Sequence, residues 1–403
     1  MWVAPGVYSE TVTMKPYVHL QGAGQEATVI SSTVAAAPGP LQATLVLASD
    51  TSLRDLTVGN SGAGAGNPDV ALLATAGMTR TLVTDVTARA LGGGETNWAI
   101  VLYGSGTGIT LQQVTALAEN GSNDNYGLGN TTAAAAVLRG GSFTGRGGTY
   151  ARGIYNDGSN TTLEAENVTA LGENGSNNHG LYNFTAAAAV LRGGSFTARG
   201  GTDSRGIYND GSNTTLEAES VTALGEDGSD DNYGLSNEAA AAAVLRGGSF
   251  TARGGTHARG IQNSGSSTTL EAESVTALGE DGSDDNYGLF NSTAAAATLR
   301  GGSFTARGGS SACGIYNAVS GATLEAEGVT ALGENGSGNI GLYNSGFAMV
   351  DSSQFTGSGY GLFHQAGTLS LGVSQLDGGA GRSSGTLTCF QVYDGGYAAY
   401  TCP

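Results

Sequence analysis

At 403 residues and 40.0 kDa the chain could hold two or three ordinary domains or one repeat array. With 34 acidic against 16 basic residues, a net charge of −18 and a single lysine, Lys15, it lacks the basic groove a nucleic acid demands, so no nucleic-acid partner is expected. Its 69 glycines follow no Gly-X-Y period, six prolines are too few for a disordered linker, and no run of 18 apolar residues offers a membrane span.

Residues 1–34 read as the opening coil of a solenoid. A Pro5-Gly6 turn precedes alternating Val7, Glu10, Val12 and Met14; Val18 to Gly22 and Thr28 to Ile30 follow. Period-two alternation bounded by Gly and Pro predicts short strands. The phrase Pro5-Gly6-Val7-Tyr8 with its extended segment and Gly22-Ala23-Gly24 turn resembles the opening of the pectin-lyase-like right-handed parallel β-helix proteins. That resemblance implies a β-helix of bacterial, secreted or surface type. Met1 stands directly before the strand-and-turn phrase, so the start reads as that of a trimmed chain, and the absence of a secretory signal there implies little.

Residues 35–130 read as irregular coils, 131–345 as regular two-coil repeats, and 346–403 as final coils and a C-terminal cap. Leu138, Leu191, Leu245 and Leu299 open the same phrase, which sets a period of 53 to 54 residues. Each period holds two variants of one shorter unit. Thr57, Thr87, Thr115, Thr144, Thr169, Thr197, Thr222, Thr251, Thr276, Thr305, Thr330 and Thr356 each follow an apolar residue at spacings of 25 to 30. Taken as one stacked row, they predict an all-β, single right-handed parallel β-helix of about thirteen or fourteen coils. Asn130, Asn156, Asn183, Asn209, Asn237, Asn263, Asn291, Asn317 and Asn344 end a Gly-(Ile/Leu)-X-Asn phrase once per coil and predict a ladder of side-chain amides.

In Thr162–Glu166 the alternation places Leu163 and Ala165 inside and Glu164 and Glu166 outside. Setting Arg139 opposite Glu164 gives a row of alternating charge: Arg139, Glu164, Arg192, Glu217, Arg246, Glu271, Arg300, Glu325. Like charges stacked in register would repel, so this row is expected to fix the two-coil period.

Two outward features could carry function. Tyr126, Arg152, His179, Arg205, Tyr233, Arg259 and Tyr287 precede the Gly-(Ile/Leu) pair, and a cation–π stack is expected if they face one way. Beside them runs an aromatic strip, Tyr155, Tyr182, Tyr208, Phe290, Tyr316 and Tyr343, a sugar-stacking platform, a sticky face for another protein, or rings that stiffen the sheet by stacking on one another. The acidic turns bring Asp227, Asp230 and Asp231, and two coils later Asp281, Asp284 and Asp285, which could cage Ca²⁺ through oxygen ligands.

Catalysis on a pectin-lyase-like scaffold would require a singular cluster of carboxylates with a base, either a lyase or a hydrolase pattern. Nearly every carboxylate here recurs at repeat spacing, so no catalytic residue is assigned. Asn178-His179-Gly180 and Gly381-Arg382 resemble elements of polygalacturonases and pectinesterases, without the residues that accompany them there. Cys313 replaces the Arg of its row and reads as repeat drift. Cys389 and Cys402 are a disulfide candidate suited to an oxidising compartment. The expectation is an extracellular or cell-surface β-helix acting as a rigid structural or adhesive rod, touching a glycan or another surface component. A carbohydrate-binding or -degrading protein and a self-assembling filament subunit are the alternatives.

Overall fold

The computed structural model describes residues 1–35, 42–62, 64 and 68–401. It divides into two units, Met1–Gly201 and Thr202–Pro403. Each is a parallel β-solenoid. Among the described residues there is no helix, and hence none long and apolar enough to cross a membrane.

One coil shows how the sequence builds the stack. Two short strands, Ala135–Arg139 and Ser142–Arg146, meet at a corner made by Gly140 and Gly141, both with positive φ; a long strand, Tyr150–Asp157, returns on the opposite side. In the next coil Thr162–Glu166, Thr169–Glu173 and Asn177–Phe184 lie parallel to these three. The buried-exposed alternation of Thr162–Glu166 places Leu163 and Ala165 inside and both glutamates outside, as expected. The opening coil also forms its short strands, with Gly6–Ser9 paired to the segment from Thr28.

The interior is thin. A Cβ on Gly153 would lie 2.5 Å from the Leu171 amide nitrogen, and one on Gly172 would lie 2.3 Å from the Ala151 carbonyl oxygen. Facing strands therefore touch backbone to backbone at these positions, which only glycine permits. On the short strands the inward columns alternate large and small side chains, while the long strands stack Leu128, Ile154 and Leu181. Ala136 stacks on Leu163, Leu138 on Ala165, and Phe143 on Ala170. The second unit repeats this with Leu216 on Ala243, Ala218 on Leu245 and Ala223 on Phe250. Two identical coils would place leucine on leucine and alanine on alanine, overfilling one layer and leaving a void in another.

This packing corrects the expected threonine row. Thr115 pairs with Ser142 and Ser142 with Thr169, whereas Thr144 lies between Leu117 and Leu171. The threonines thus occupy two positions, two residues apart. The Arg-bearing coil carries Gly at the corner and Phe143 two residues on; the Glu-bearing coil carries Val168 at the corner and Ala170 two residues on. Aligning Phe143 with Val168 preserves which face is buried, because the slip is even, but shifts the register by two.

The same slip corrects the charge row. Arg139 pairs with Glu166, and Glu166 with Arg192; in the second unit Arg246 lies between Glu219 and Glu273, and Arg300 between Glu273 and Glu327. Glu164 instead faces Val137 and Val190. Close ion pairs form on the other short strand. Arg146 reaches Glu173 at 2.7 Å and Glu119 at 3.2 Å, Arg253 reaches Glu280 at 2.6 Å, and Arg307 spans Glu280 and Glu334. Hydrogen bonding to Glu173 and Glu334 raises the Arg146 and Arg307 pKa values above the usual arginine value.

The asparagine ladder forms as expected. In the first unit Asn130 Nδ2 donates to Asn156 Oδ1 and Asn156 Nδ2 to Asn183 Oδ1, each at 2.7 Å. In the second unit the chain runs from Asn209 through Asn237, Asn263, Asn291 and Asn317 to Asn344 at 2.7–2.8 Å. The second amide hydrogen goes to a backbone carbonyl, such as Thr162 O from Asn130 and Thr269 O from Asn237. All of these side chains are fully buried, and apart from Asn130 Oδ1 at its start the ladder satisfies groups that would each cost about 1–3 kcal/mol if left unpaired. The ladder ends on His364. Since Asn344 Oδ1 is taken by Asn317, its Nδ2 must be the donor to His364 Nδ1 at 3.2 Å, which fixes the neutral imidazole with its proton on Nε2. Burial accordingly lowers the His364 pKa.

Candidate functional site

The outward face of the long strands holds charged and aromatic side chains. It is built differently in the two units.

In the first unit Arg152 is enclosed, its side chain only 9% exposed. Its guanidinium lies 4.7–5.1 Å from the ring centres of Tyr126, Tyr150, Tyr155 and Tyr182. It donates to the Tyr126 hydroxyl and lies 3.6 Å from Asp124, whose carboxylate also accepts from Tyr126 at 2.7 Å and from Asn123 at 3.1 Å. Burial, opposed by the Arg152 charge, pushes the Tyr126 phenol well above its usual pKa. His179 is buried in the same row, 5.1 Å from the Tyr182 ring. The expected cation–π stack is present here, and it lies inside a closed cluster in which the carboxylate and cation satisfy each other. His179 has no exposed face to offer as a catalytic group.

The aromatic strip is half-buried, its rings leaning on one another. Tyr155 stacks on Tyr126 at 5.2 Å and lies 5.7 Å from Tyr182; in the second unit Phe290 stacks on Tyr316 at 5.6 Å and Tyr316 on Tyr343 at 4.3 Å with an interplanar angle of 4°. Tyr208 is covered on one side by Arg205 at 4.8 Å. The row is interrupted in the second unit by Ser236 and Gln262. Cys313 is 1% exposed and donates its Sγ–H to the Ile315 carbonyl; burial raises the thiol pKa, as for an inert core cysteine. Cys402 lies outside the described residues, and with it the expected Cys389–Cys402 pairing.

The acidic turns separate into two groups. Asp227 and Asp281 are exposed corner residues with φ near +60° and join no ligand cluster among the described residues. Asp230, Asp231, Asp284 and Asp285 converge instead on a residue absent from the sequence-based list, His257. Asp231 pairs with His257 across the sheet, and His257 Nδ1 lies 3.9 Å from Asp285. The potential ligand atoms of Asp230, Asp231 and His257 all lie within 4.8 Å of one another, as do those of His257, Asp284 and Asp285.

The turns that carry these carboxylates are held firmly. Asn232 both accepts from the Gly228 amide at 2.9 Å and donates to its carbonyl at 3.0 Å, and Asn286 clamps Gly282 in the same way. The Asp230 carbonyl accepts from the Thr256 and His257 amides, while the Asp284 amide donates to Thr256 O. Negative charge is crowded here. Burial chiefly, with Asp231 and Asp230 adding repulsion and Arg205 opposing, raises the pKa of the neighbouring Asp203 above the usual carboxylate value.

No family model, curated protein or solved structure matches this chain.

Proposed function

We propose that the chain is a non-catalytic, extracellular or surface-exposed structural element, a stiff stack that spaces or adheres. One observation carries this reading. Residues with chemical potential are mostly engaged in stacking one coil on the next: amides in the ladder, arginines against glutamates, rings against rings. A hydrolase or lyase site needs groups left available for substrate. The negative charge suits a soluble, non-aggregating surface, and the charged row Arg246, Glu273, Arg300 lies along the short-strand side, where an exposed sheet would otherwise invite association.

The rival reading is a carbohydrate-binding or -degrading protein related to the pectin-lyase-like enzymes. Its support is the opening phrase and the half-buried rings of Tyr316 and Tyr343, which could accept a sugar face. Incubation with pectin, polygalacturonate and neutral glycans, with and without Ca²⁺, separates the two. The structural reading expects no turnover and long survival under protease. Robust release of oligosaccharide would overturn it.

A further inference from the structure

The two-coil repeat dictates most side chains, so positions where it is broken are informative. His257 opens a long strand where the other Arg-bearing coils place Tyr150, Asp203 and Ser311. The turns stacked on either side of it read Ser229-Asp230-Asp231 and Ser283-Asp284-Asp285, where the corresponding turns of other coils read Ser122-Asn123-Asp124, Ser176-Asn177 and Ser337-Gly338. The imidazole and the two doubled aspartates are thus three departures from the repeat, and the fold stacks them at one place.

The Tyr233 and Tyr287 hydroxyls bond Asp231 and Asp285, yet polar atoms remain over. His257 Nδ1 and Asp231 Oδ1 are shielded from solvent and have no hydrogen-bond partner, and at 3.9 Å the His257–Asp285 contact is too long for a hydrogen bond. Leaving such groups without partners costs free energy that a cation bound between them would offset. The ligand set also selects among cations. Ca²⁺ and Mg²⁺ prefer all-oxygen cages, whereas one imidazole with carboxylates suits Zn²⁺, Co²⁺ or Ni²⁺.

We propose that His257, flanked by the Asp230–Asp231 and Asp284–Asp285 pairs, forms a site for one divalent transition-metal ion. His257 supplies the nitrogen ligand and the aspartate pair of one adjoining coil supplies oxygen, since each pair forms its own triad with the imidazole. The site is independent of the proposed structural role, and a metal there would clip the His257 coil to a neighbouring coil. This changes the sequence expectation in ion and residues: a nitrogen-containing site for a borderline metal replaces an all-oxygen calcium cage, and Asp227 and Asp281 drop out of it.

Titration of the full chain with Co²⁺, followed by its visible d–d absorption, and with Zn²⁺ by calorimetry tests the assignment. We expect one ion per chain. His257→Tyr installs the residue its own repeat tolerates at Tyr150, so the fold should persist by circular dichroism while affinity falls at least tenfold; Asp231→Asn with Asp285→Asn should do the same. Millimolar Ca²⁺ should leave Co²⁺ bound. Absence of saturable binding, wild-type affinity in His257→Tyr, or displacement by equimolar Ca²⁺ would each overturn the proposal.

Discussion

The strand position occupied by Tyr150 in the first unit is occupied by His257 in the second, on the same scaffold and beside equivalent turns. Around Tyr150 the neighbouring carboxylate, Asp124, is answered by Tyr126, Asn123 and Arg152, and the guanidinium is wrapped in rings. Around His257 the arginine of the same strand, Arg259, donates to Tyr233 as Arg152 does to Tyr126, but it also donates to Gln262 and lies over Phe290, while the Tyr233 and Tyr287 hydroxyls bond Asp231 and Asp285. A repeat fixes backbone, core and ladder identically in both places. Its outward residues then differ: Arg152 lies 3.6 Å from Asp124, whereas Arg259 is drawn to Gln262.

The sharpest way to break this comparison is to remove that arginine from each side. Arg152→Ala leaves Asp124 without its cation and four rings without their filler, and should cost about 2–4 kcal/mol in urea unfolding. Arg259→Ala removes a half-buried cation with alternative solvation and should cost about 1 kcal/mol. Equal losses would mean that enclosure does not distinguish the two clusters. Next in size is the ladder, where no difference is expected. Asn156→Ala and Asn263→Ala each orphan two buried neighbours and should each cost about 2–3 kcal/mol, with hydrogen exchange rising in the adjacent coils. An unequal pair would show that the units are not built on the same ladder.

The charge rows offer a smaller contrast. Arg146→Ala and Arg253→Ala break close but exposed ion pairs and should each cost about 0.5–1 kcal/mol, shrinking in 1 M salt. Arg139→Ala and Arg246→Ala lie in register with glutamates without a close ion pair and should change stability by less than about 0.5 kcal/mol. Thermal unfolding at two ionic strengths reads both.

The fold was legible because burial imposes period two and the asparagines recur once per coil, and both signals survive any error in alignment. Register was not legible from the threonines, because Phe143 and Val168 fill similar core space from positions two residues apart. Only the volumes of neighbouring layers, Phe143 on Ala170 and Leu138 on Ala165, decide it. Four of the five proposed metal ligands were visible as two runs of aspartates. His257 was not, since no motif marks a lone histidine; its signal was the breach of the repeat at a position otherwise held by Tyr150, Asp203 and Ser311. The closure of the Arg152 cluster was invisible for a different reason: sequence places residues in a row but does not say whether their tips meet.

Asp203 gives the last and smallest test, and it probes the crowding of charge directly. It opens the strand in the coil preceding Asp231, and its carboxyl pKa is raised by burial and by its acidic neighbours. A folded-state pKa above the unfolded value means that the native protein holds this proton more tightly than the unfolded chain. The stability so contributed is complete below the unfolded value of 3.8 and is lost as pH rises through the folded one. At pH 7 the ionised Asp203 is therefore unfavourable, and Asp203→Asn should stabilise the protein by a few tenths of a kcal/mol. Near pH 3 the two proteins should melt together, since the wild-type group is then protonated in both states. Saturating Co²⁺ should narrow the gap at pH 7, because a cation at His257 neutralises the field that Asp203 feels from Asp230 and Asp231. A gap independent of pH would place the effect in packing and would remove electrostatic crowding from the account of this face.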